Sequence, residues 1–390
     1  MDGTAHSELQ VLRSATAGLA AEARDRALEF EDAKQLPDDF VAKLKAAGVY
    51  RLLVARSQGG LGGSTRDWLD LIIALSESDG STGWACAHGA ICSALLANVA
   101  NQAFVAEAMA DPDISIAWSN LPRIQSADFV PGGMQISGEW AFATGCTAAT
   151  FLGGMFVQPG TEDSETPTRI VALARRGDAK IKRTWDPGGL AATGSHSVVF
   201  DDLFIPDEQI FEWPEVTITS GLDTAIFATG TWLITMCAAA THLGIARRAL
   251  DEARARLVHS SGASTGLGDA SNSEAIRMLE RAEGILLSCR LALYVTANAV
   301  WDARQDLPRL PTQEIRDASL VGVSTVHQCC EVVRMAYAQG GAASIARTNA
   351  LQKCLRDSSC LSHHVAANAT FLEALGRIRI GKDGLGYQIG

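Results

Sequence analysis

The period of the apolar pattern changes twice along this chain, and that restricts the fold more than any single motif. Over residues 7–35, Leu9, Leu12, Ala15, Leu19, Ala23, Ala27 and Phe30 make one stripe at helical spacing. Pro37-Asp38-Asp39 opens a second helix, 38–47, which Gly48 closes. The turn Gly59–Gly63 leads to a helix capped by Ser64 or Thr65 that carries Trp68, Leu69, Leu71, Ile72 and Leu75. Ser81-Thr82 start another, running through Trp84 and Leu95, and a short helix follows over 101–110. At Asp111-Pro112 the spacing falls toward two. The strand candidates are Ile114–Trp118, Met134–Trp140, Phe151–Gln158, Arg169–Ala174 and Ser197–Phe204. Pro131-Gly132-Gly133, Pro159-Gly160, Asp186–Gly189 and Pro206-Asp207 supply turns. Beyond about residue 220 the helical period returns over 222–258, 273–305, 312–338 and 347–380, punctuated at Gly262–Gly268 and Pro308–Pro311.

Helices, then strands, then long helices with short connections imply a mainly α protein with a central β domain. The expected divisions are an N-terminal helical domain (1–112), a β-barrel-like middle domain (113–215) and a C-terminal up-down four-helix bundle (216–390). Apolar residues at 47% against 20% charged suffice for a large core. A net charge of −11 and the lack of a basic stripe exclude a nucleic-acid binder. No unbroken apolar run approaches a membrane span, and Met1–Gln10 does not read as a signal peptide. Nine scattered cysteines without a CxxC fit reduced, mostly buried thiols in a cytoplasm. Gly59–Gly63 does not satisfy GxGxxG, Asp201-Asp202 read as turn residues, and the histidines show no ligand spacing beyond the pair His363-His364, so no metal site is expected.

Several segments resemble the acyl-CoA dehydrogenase family, in the right order. They are GGLGGSTRDWLDLIIALSESD in the Tyr50–Asp79 stretch, SGEWAFATGC (Ser137–Cys146), TWDPGGLAATGSHSVVFDDLFIP (Thr184–Pro206) and the Leu351–Gly381 stretch with its RD…H…E..GR…G pattern. DGSTGW (Asp79–Trp84) is closer to the oxygenase branch than to the dehydrogenases. The resemblance covers roughly residues 36–381. It implies the oxygenase component of a two-component flavin monooxygenase, a branch that includes phenol-type hydroxylases, indole oxygenases, dibenzothiophene monooxygenase and amino-sugar N-oxygenases. A separate NAD(P)H-flavin reductase would supply FMNH2 or FADH2. Oxygen would add to give a C4a-hydroperoxyflavin, and one oxygen atom would pass to an aromatic small molecule. The flavin would lie between β domain and bundle, in a homotetramer.

The same resemblance assigns residues. His364, seven after Asp357, matches an active-site histidine able to take a phenol or indole proton or to hydrogen-bond the peroxide. A helix histidine packed at an interface is the plainer alternative. His363 competes with it, since consecutive helix residues point about 100° apart. Thr144 matches a hydroxyl beside the flavin ring near N5; an ordinary strand threonine is the alternative. His88 matches a pocket residue, against a satisfied core histidine, while Trp84 reads as packing. Trp118 and Ser119 fall where the first strand passes the flavin. Gly340-Gly341 resemble paired glycines near the flavin phosphates, against a helix C-cap. Cys146 reads as a small apolar filler.

Two departures bear on the branch. A dehydrogenase needs a carboxylate base, and Asn368-Ala369-Thr370 has Asn where Glu is expected. Asp251 and Glu252 are the other candidates for that base. The cofactor-clasping Arg is also missing from Val258–Gly262. An acyl-CoA dehydrogenase or nitroalkane-oxidase-like flavoenzyme, an amino-sugar N-oxygenase, and a catalytically silent homologue remain the alternatives.

Overall fold

Arg26 divides the first apolar stripe into two helices where the sequence pattern predicts one: α1 (Gly3–Asp25) and α2 (Ala27–Ala33). Its guanidinium pairs with Glu22, Glu29 and Asp39, so the bend is tied to α3 (Asp38–Ala46). The structure, a computed structural model, describes residues 3–99, 101–158, 168–212, 231–261, 268–303, 312–382 and 384. The Pro159-Gly160 turn, the 215/216 boundary, residues 222–230 of the expected helix, most of Gly262–Gly268 and Pro308–Pro311 lie outside the described residues.

Helix α4 (Thr65–Ser78) starts with a capping box: the Ser64 hydroxyl accepts from the Asp67 N–H and the Asp67 carboxylate from the Ser64 N–H. Such a cap contributes ~1 kcal/mol. Helix α5 (Gly80–Val99) begins earlier than Ser81-Thr82, because the Asp79 carboxylate accepts both the N–H and the hydroxyl of Thr82, each at 2.8 Å. Helix α6 (Gln102–Met109) ends the N-terminal segment.

The middle segment forms two four-stranded sheets. One has the order β1 (Ile116–Ser119), β4 (Phe151–Gln158), β5 (Thr168–Arg175), β8 (Ile210–Glu212), with β1 and β4 parallel. The other runs β2 (Pro122–Val130), β3 (Gly133–Ala143), β7 (His196–Pro206), β6 (Lys180–Lys182), all antiparallel. Trp140 on β3 centres the core between them, with ring centroids 4.7 Å from Phe156 and 5.2 Å from Phe200. The five expected strands are present; β2, β6 and β8 were not foreseen. β2 is an edge strand, exposed over most of its length, so its sequence carries no alternation to read.

The C-terminal helices are α7 (Thr231–Ser261), α8 (Gly268–Ala303), α9 (Thr312–Ala338), α10 (Ala350–Leu361) and α11 (Ala369–Arg379). The expected helix over 347–380 is therefore two. Residues 362–368 form a turn, and the Asn368 side chain starts α11 by accepting the Phe371 N–H at 3.0 Å. One core runs from α1 through α4 and α5 into α7, α8 and α9. All nine cysteines are free thiols; eight are buried and Cys360 is half-buried. Among the described residues one stretch, Ser273–Ala303 in α8, is long and apolar enough to cross a membrane by length and composition. Charged residues interrupt its apolar run, and Leu287, Leu291 and Val295 stay exposed along one face.

Candidate active site

A buried ion cluster joins the three segments beneath the site. Lys353 of α10 lies 2.8 Å from Asp79 at the head of α5 and 2.6 Å from Asp357, and all three side chains are nearly inaccessible. Burial alone would push the Lys353 ammonium down, but the two carboxylates outweigh it and hold the pKa above the usual lysine range. Asp357 also accepts the Leu190 N–H at 2.7 Å, which brings in the β domain. Gly189 makes that approach possible: a Cβ there would sit 2.2 Å from the Arg356 carbonyl oxygen. Arg356 adds a hydrogen bond to the Gly188 carbonyl and an ion pair with Glu31 on α2.

On this base, α5 and the 362–368 turn bring two histidines together. The Trp84 ring lies 4.3 Å from the His88 ring and 5.0 Å, edge-on, from that of His364. The two imidazoles are 6.2 Å apart at 72°. Burial, and then the neighbouring His364, push the His88 pKa down to about 3. Burial pushes that of His364 down to about 4. Both rings are neutral near pH 7. His364 Nδ1 accepts the Ala366 N–H at 3.2 Å, so the proton of the neutral ring is on Nε2. His88 Nε2 is a buried nitrogen with no hydrogen-bond partner among the described residues. His363 is exposed, and the two adjacent histidines differ in surroundings through the turn, not through helix phase.

Thr144 follows β3 and lies in a second polar cluster. Its hydroxyl lies 3.0 Å from that of Ser195, which lies 2.8 Å from that of Thr193, and Thr193 donates to the Leu190 carbonyl at 2.9 Å. This hydroxyl chain reaches the loop that Asp357 holds. The 191–193 turn also packs against α5, so the two parts share supports. Between Trp140 and Ala143 the β3–β7 register shifts, and Phe142 there adopts φ +64°. That left-handed backbone is costly for a phenylalanine. It leaves the Phe142 ring 53% exposed, 5.9 Å from that of Trp185 and edge-on to it.

The other expected residues are placed differently. The Ser119 hydroxyl donates to the Ala141 carbonyl and accepts the Leu121 N–H at 3.1 Å, so it braces β1 against β3. Trp118 is buried against Phe211 at 6.0 Å. Cys146 is buried, its thiol 3.2 Å from the Gly194 carbonyl. Gly340 and Gly341 follow α9, Gly341 at φ +59° beside the Arg256 guanidinium. They lie beyond the end of α9, roughly 20 Å along it from His327, and are not brought to the histidines. Asn368 is a helix cap, while Asp251 pairs with Arg247 and Glu252 with Arg248. Sequence reasoning missed Trp84 as the spacer between the rings, the Phe142–Trp185 pair and Ser195. The hydroxyl-rich Thr193-Gly194-Ser195 was the available signal for Ser195. Among the described residues no group of three His, Cys, Asp or Glu could hold a metal ion.

The chain belongs to the acyl-CoA dehydrogenase family: the family's N-terminal domain matches residues 6–110 and its C-terminal domain residues 236–369. Relatives that match over nearly the whole length include monooxygenases and hydroxylases. Indole-3-acetate monooxygenase of Acinetobacter baumannii is 28% identical, over 95% of this chain and 94% of that protein. The oxygenase component of the FADH2-dependent resorcinol hydroxylase of a Rhizobium species is 28% identical, over 95% and 93%. Among solved structures, XiaF from a Streptomyces species in complex with FADH2 and glycerol superposes with a TM-score of 0.84 at 24% identity, covering 99% of this chain and 98% of that one. The 3-HSA hydroxylase of Rhodococcus sp. RHA1 gives 0.84 at 21%, covering 98% of each. The chain is an oxidoreductase of the flavin-dependent monooxygenase type with this fold.

Proposed function

We propose that this chain is the oxygenase component of a two-component system that hydroxylates an aromatic small molecule, using reduced flavin delivered by a separate NAD(P)H-flavin reductase. The observation that carries the proposal is the pair of uncharged imidazoles, His88 and His364, set across Trp84 at the junction of α5 and the α10–α11 turn. Full-length relatives that act on indole-3-acetate and resorcinol support the substrate class.

The residues fit a flat, hydrogen-bonding cofactor. Phe142 offers exposed ring surface beside the half-buried Trp185 ring. Thr144 offers a hydroxyl already oriented by Ser195. The buried His88 Nε2 has a hydrogen bond still to make. A reduced flavin bound there would supply the two electrons that let one oxygen atom of O2 enter the substrate while the other leaves as water. The protein's part is binding, orientation and exclusion of water. His364 presents an Nε2–H donor to an oxygen atom, and its Nδ1 is engaged by the backbone. Proton removal by His364 would break that backbone hydrogen bond, so the structure favours the donor role over the base role. Thr144 and the hydroxyls behind it hold a second polar contact in register.

The exposed stripe Leu287, Leu291 and Val295 on α8, 56%, 59% and 66% exposed, supports assembly as a homotetramer. Light scattering on the purified protein measures this.

The test supplies chemically reduced FAD, then reduced FMN, to the protein in oxygenated buffer with a panel of phenols and indoles. Hydroxylated product formed in proportion to flavin oxidised, for at least one aromatic, is expected. Flavin oxidation that yields only hydrogen peroxide across the panel, with turnover of an acyl-CoA instead, would overturn the reading.

A further inference from the structure

We infer that Thr235 on α7 and His327 on α9 are positioning residues for His364, acting through the backbone of Ala366 and Ala367. This rests on the role given to His364 above, but the geometry is independent of it.

His364 lies outside any helix, so helical hydrogen bonding does not fix its ring. The 362–368 turn does so instead. The Ala366 N–H donates to His364 Nδ1 at 3.2 Å, and the Ala367 N–H to the His364 carbonyl at 2.9 Å. Ala366 and Ala367 are buried, 1% and 0% exposed, so their carbonyls need donors from within the protein. Each takes one from a different bundle helix. The Thr235 hydroxyl donates to the Ala366 carbonyl at 3.2 Å, and His327 Nε2 lies 3.1 Å from the Ala367 carbonyl. A carbonyl only accepts, so His327 carries its proton on Nε2.

Ala366 is thus held on both sides, by Thr235 through its carbonyl and by His364 through its N–H. The Ala366–Ala367 peptide, whose carbonyl Thr235 holds and whose N–H donates to the His364 carbonyl, adjoins at the Ala366 Cα the Val365–Ala366 peptide, whose N–H decides which nitrogen of His364 bears the proton. Thr235 is fully buried and reaches this point because α7 and α9 approach closely at Gly322. A Cβ on Gly322 would sit 2.6 Å from Thr235 Cγ2. Without the Thr235 donor, the Ala366–Ala367 peptide can rotate to find another partner, and the turn at Ala366 that aims its N–H at His364 loosens. His364 then loses the contact that fixes its ring orientation and its tautomer.

The experiment uses the full chain labelled with 15N-histidine, compared with Thr235→Val, Thr235→Ser and His327→Leu. Nitrogen NMR reports the protonated nitrogen of His364, and the hydroxylation assay reports product per flavin oxidised. We expect a single Nε2–H form in the wild type and a mixed population in Thr235→Val. Product yield and kcat should fall between about twofold and tenfold, the range of one lost hydrogen bond, with KM for the aromatic unchanged. Thr235→Ser should restore both readouts. His327→Leu, on the outer side of α9, should shift the same resonance and keeps the test open if Thr235→Val does not fold. An unchanged His364 signal in both Thr235→Val and His327→Leu would overturn the inference. A shifted signal with unchanged product yield would keep the positioning role and overturn the functional reading of His364.

Discussion

His88 and His364 sit with their rings 6.2 Å apart, edge to face, although one lies on an N-terminal helix and the other in a turn near the C-terminus. Trp84 touches both and sets the distance. Burial keeps both rings uncharged, which suits a site that must hold polar oxygen species while excluding water.

Replacing His364 with Ala removes the Nε2–H donor. Product formation should fall by about 10²–10⁴-fold, the usual range for a group assisting proton movement. Reduced flavin should still be consumed, with the electrons recovered as hydrogen peroxide. Parallel product and peroxide assays check this, and unchanged product yield would remove His364 from the chemistry.

The pH profile follows from the same two rings. Their folded pKa values, about 3 and about 4, lie below the usual 6.5. The unfolded chain therefore binds more protons between those values, and stability falls as pH falls through that window. Neutral His88 and His364 contribute stability above 6.5 that is lost on acidification. Product yield should hold from neutral pH to about pH 5, where an ordinary histidine would be charged. A yield that halves near 6.5 would contradict the buried, neutral pair.

Much of this was legible in the sequence, for local reasons. Ser64, a strong N-cap type, announces the start of α4, and the fall to period two after Asp111-Pro112 announces the sheets. The pairing of His88 with His364 was not legible, because nothing local links α5 to the α10–α11 turn; the Asp79–Lys353–Asp357 cluster does that in three dimensions. Residues 347–380 read as one helix because apolar spacing continues across the break. Asn368, a strong N-cap type, was the overlooked sign that a second helix starts there. Phe142 gave no warning either, since a positive φ on phenylalanine follows from the register shift in β3 and not from its own preference.

Lys353→Met leaves Asp79 and Asp357 buried side by side without their cation. Breaking such a cluster costs about 3–5 kcal/mol. Denaturant unfolding should show that loss, and the variant should also lose product yield, because Asp79 heads α5 and Asp357 holds the Leu190 loop. A loss under about 1 kcal/mol would show that water reaches the cluster.

Thr144→Val keeps the side-chain shape and removes the hydroxyl facing Ser195. The loss of one hydrogen bond corresponds to ~1 kcal/mol, or about fivefold, in the partition between product and peroxide. Thermal stability should change little. Equal product yield in both proteins would confine Thr144 to the β domain's own packing.

Phe142→Gly should separate stability from binding. Glycine relieves the φ +64° backbone, which costs about 1–3 kcal/mol in a residue with a side chain, and the exposed ring gives up little burial. The variant should melt no lower than the wild type yet bind reduced flavin more weakly. Wild-type flavin affinity would place the cofactor's ring elsewhere.

The oxygenase reading requires reduced flavin and oxygen to be held together away from water until oxygen passes to an aromatic ring. The most direct test is a stopped-flow experiment mixing the protein and reduced FAD or FMN with oxygenated buffer. A clear lag between loss of reduced flavin and appearance of oxidised flavin is expected, shortened in His364→Ala, with hydroxylated product when an accepted phenol or indole is present. Oxidised flavin appearing without a lag, at the rate of free reduced flavin, for both flavins and for wild type and variant alike, would contradict it.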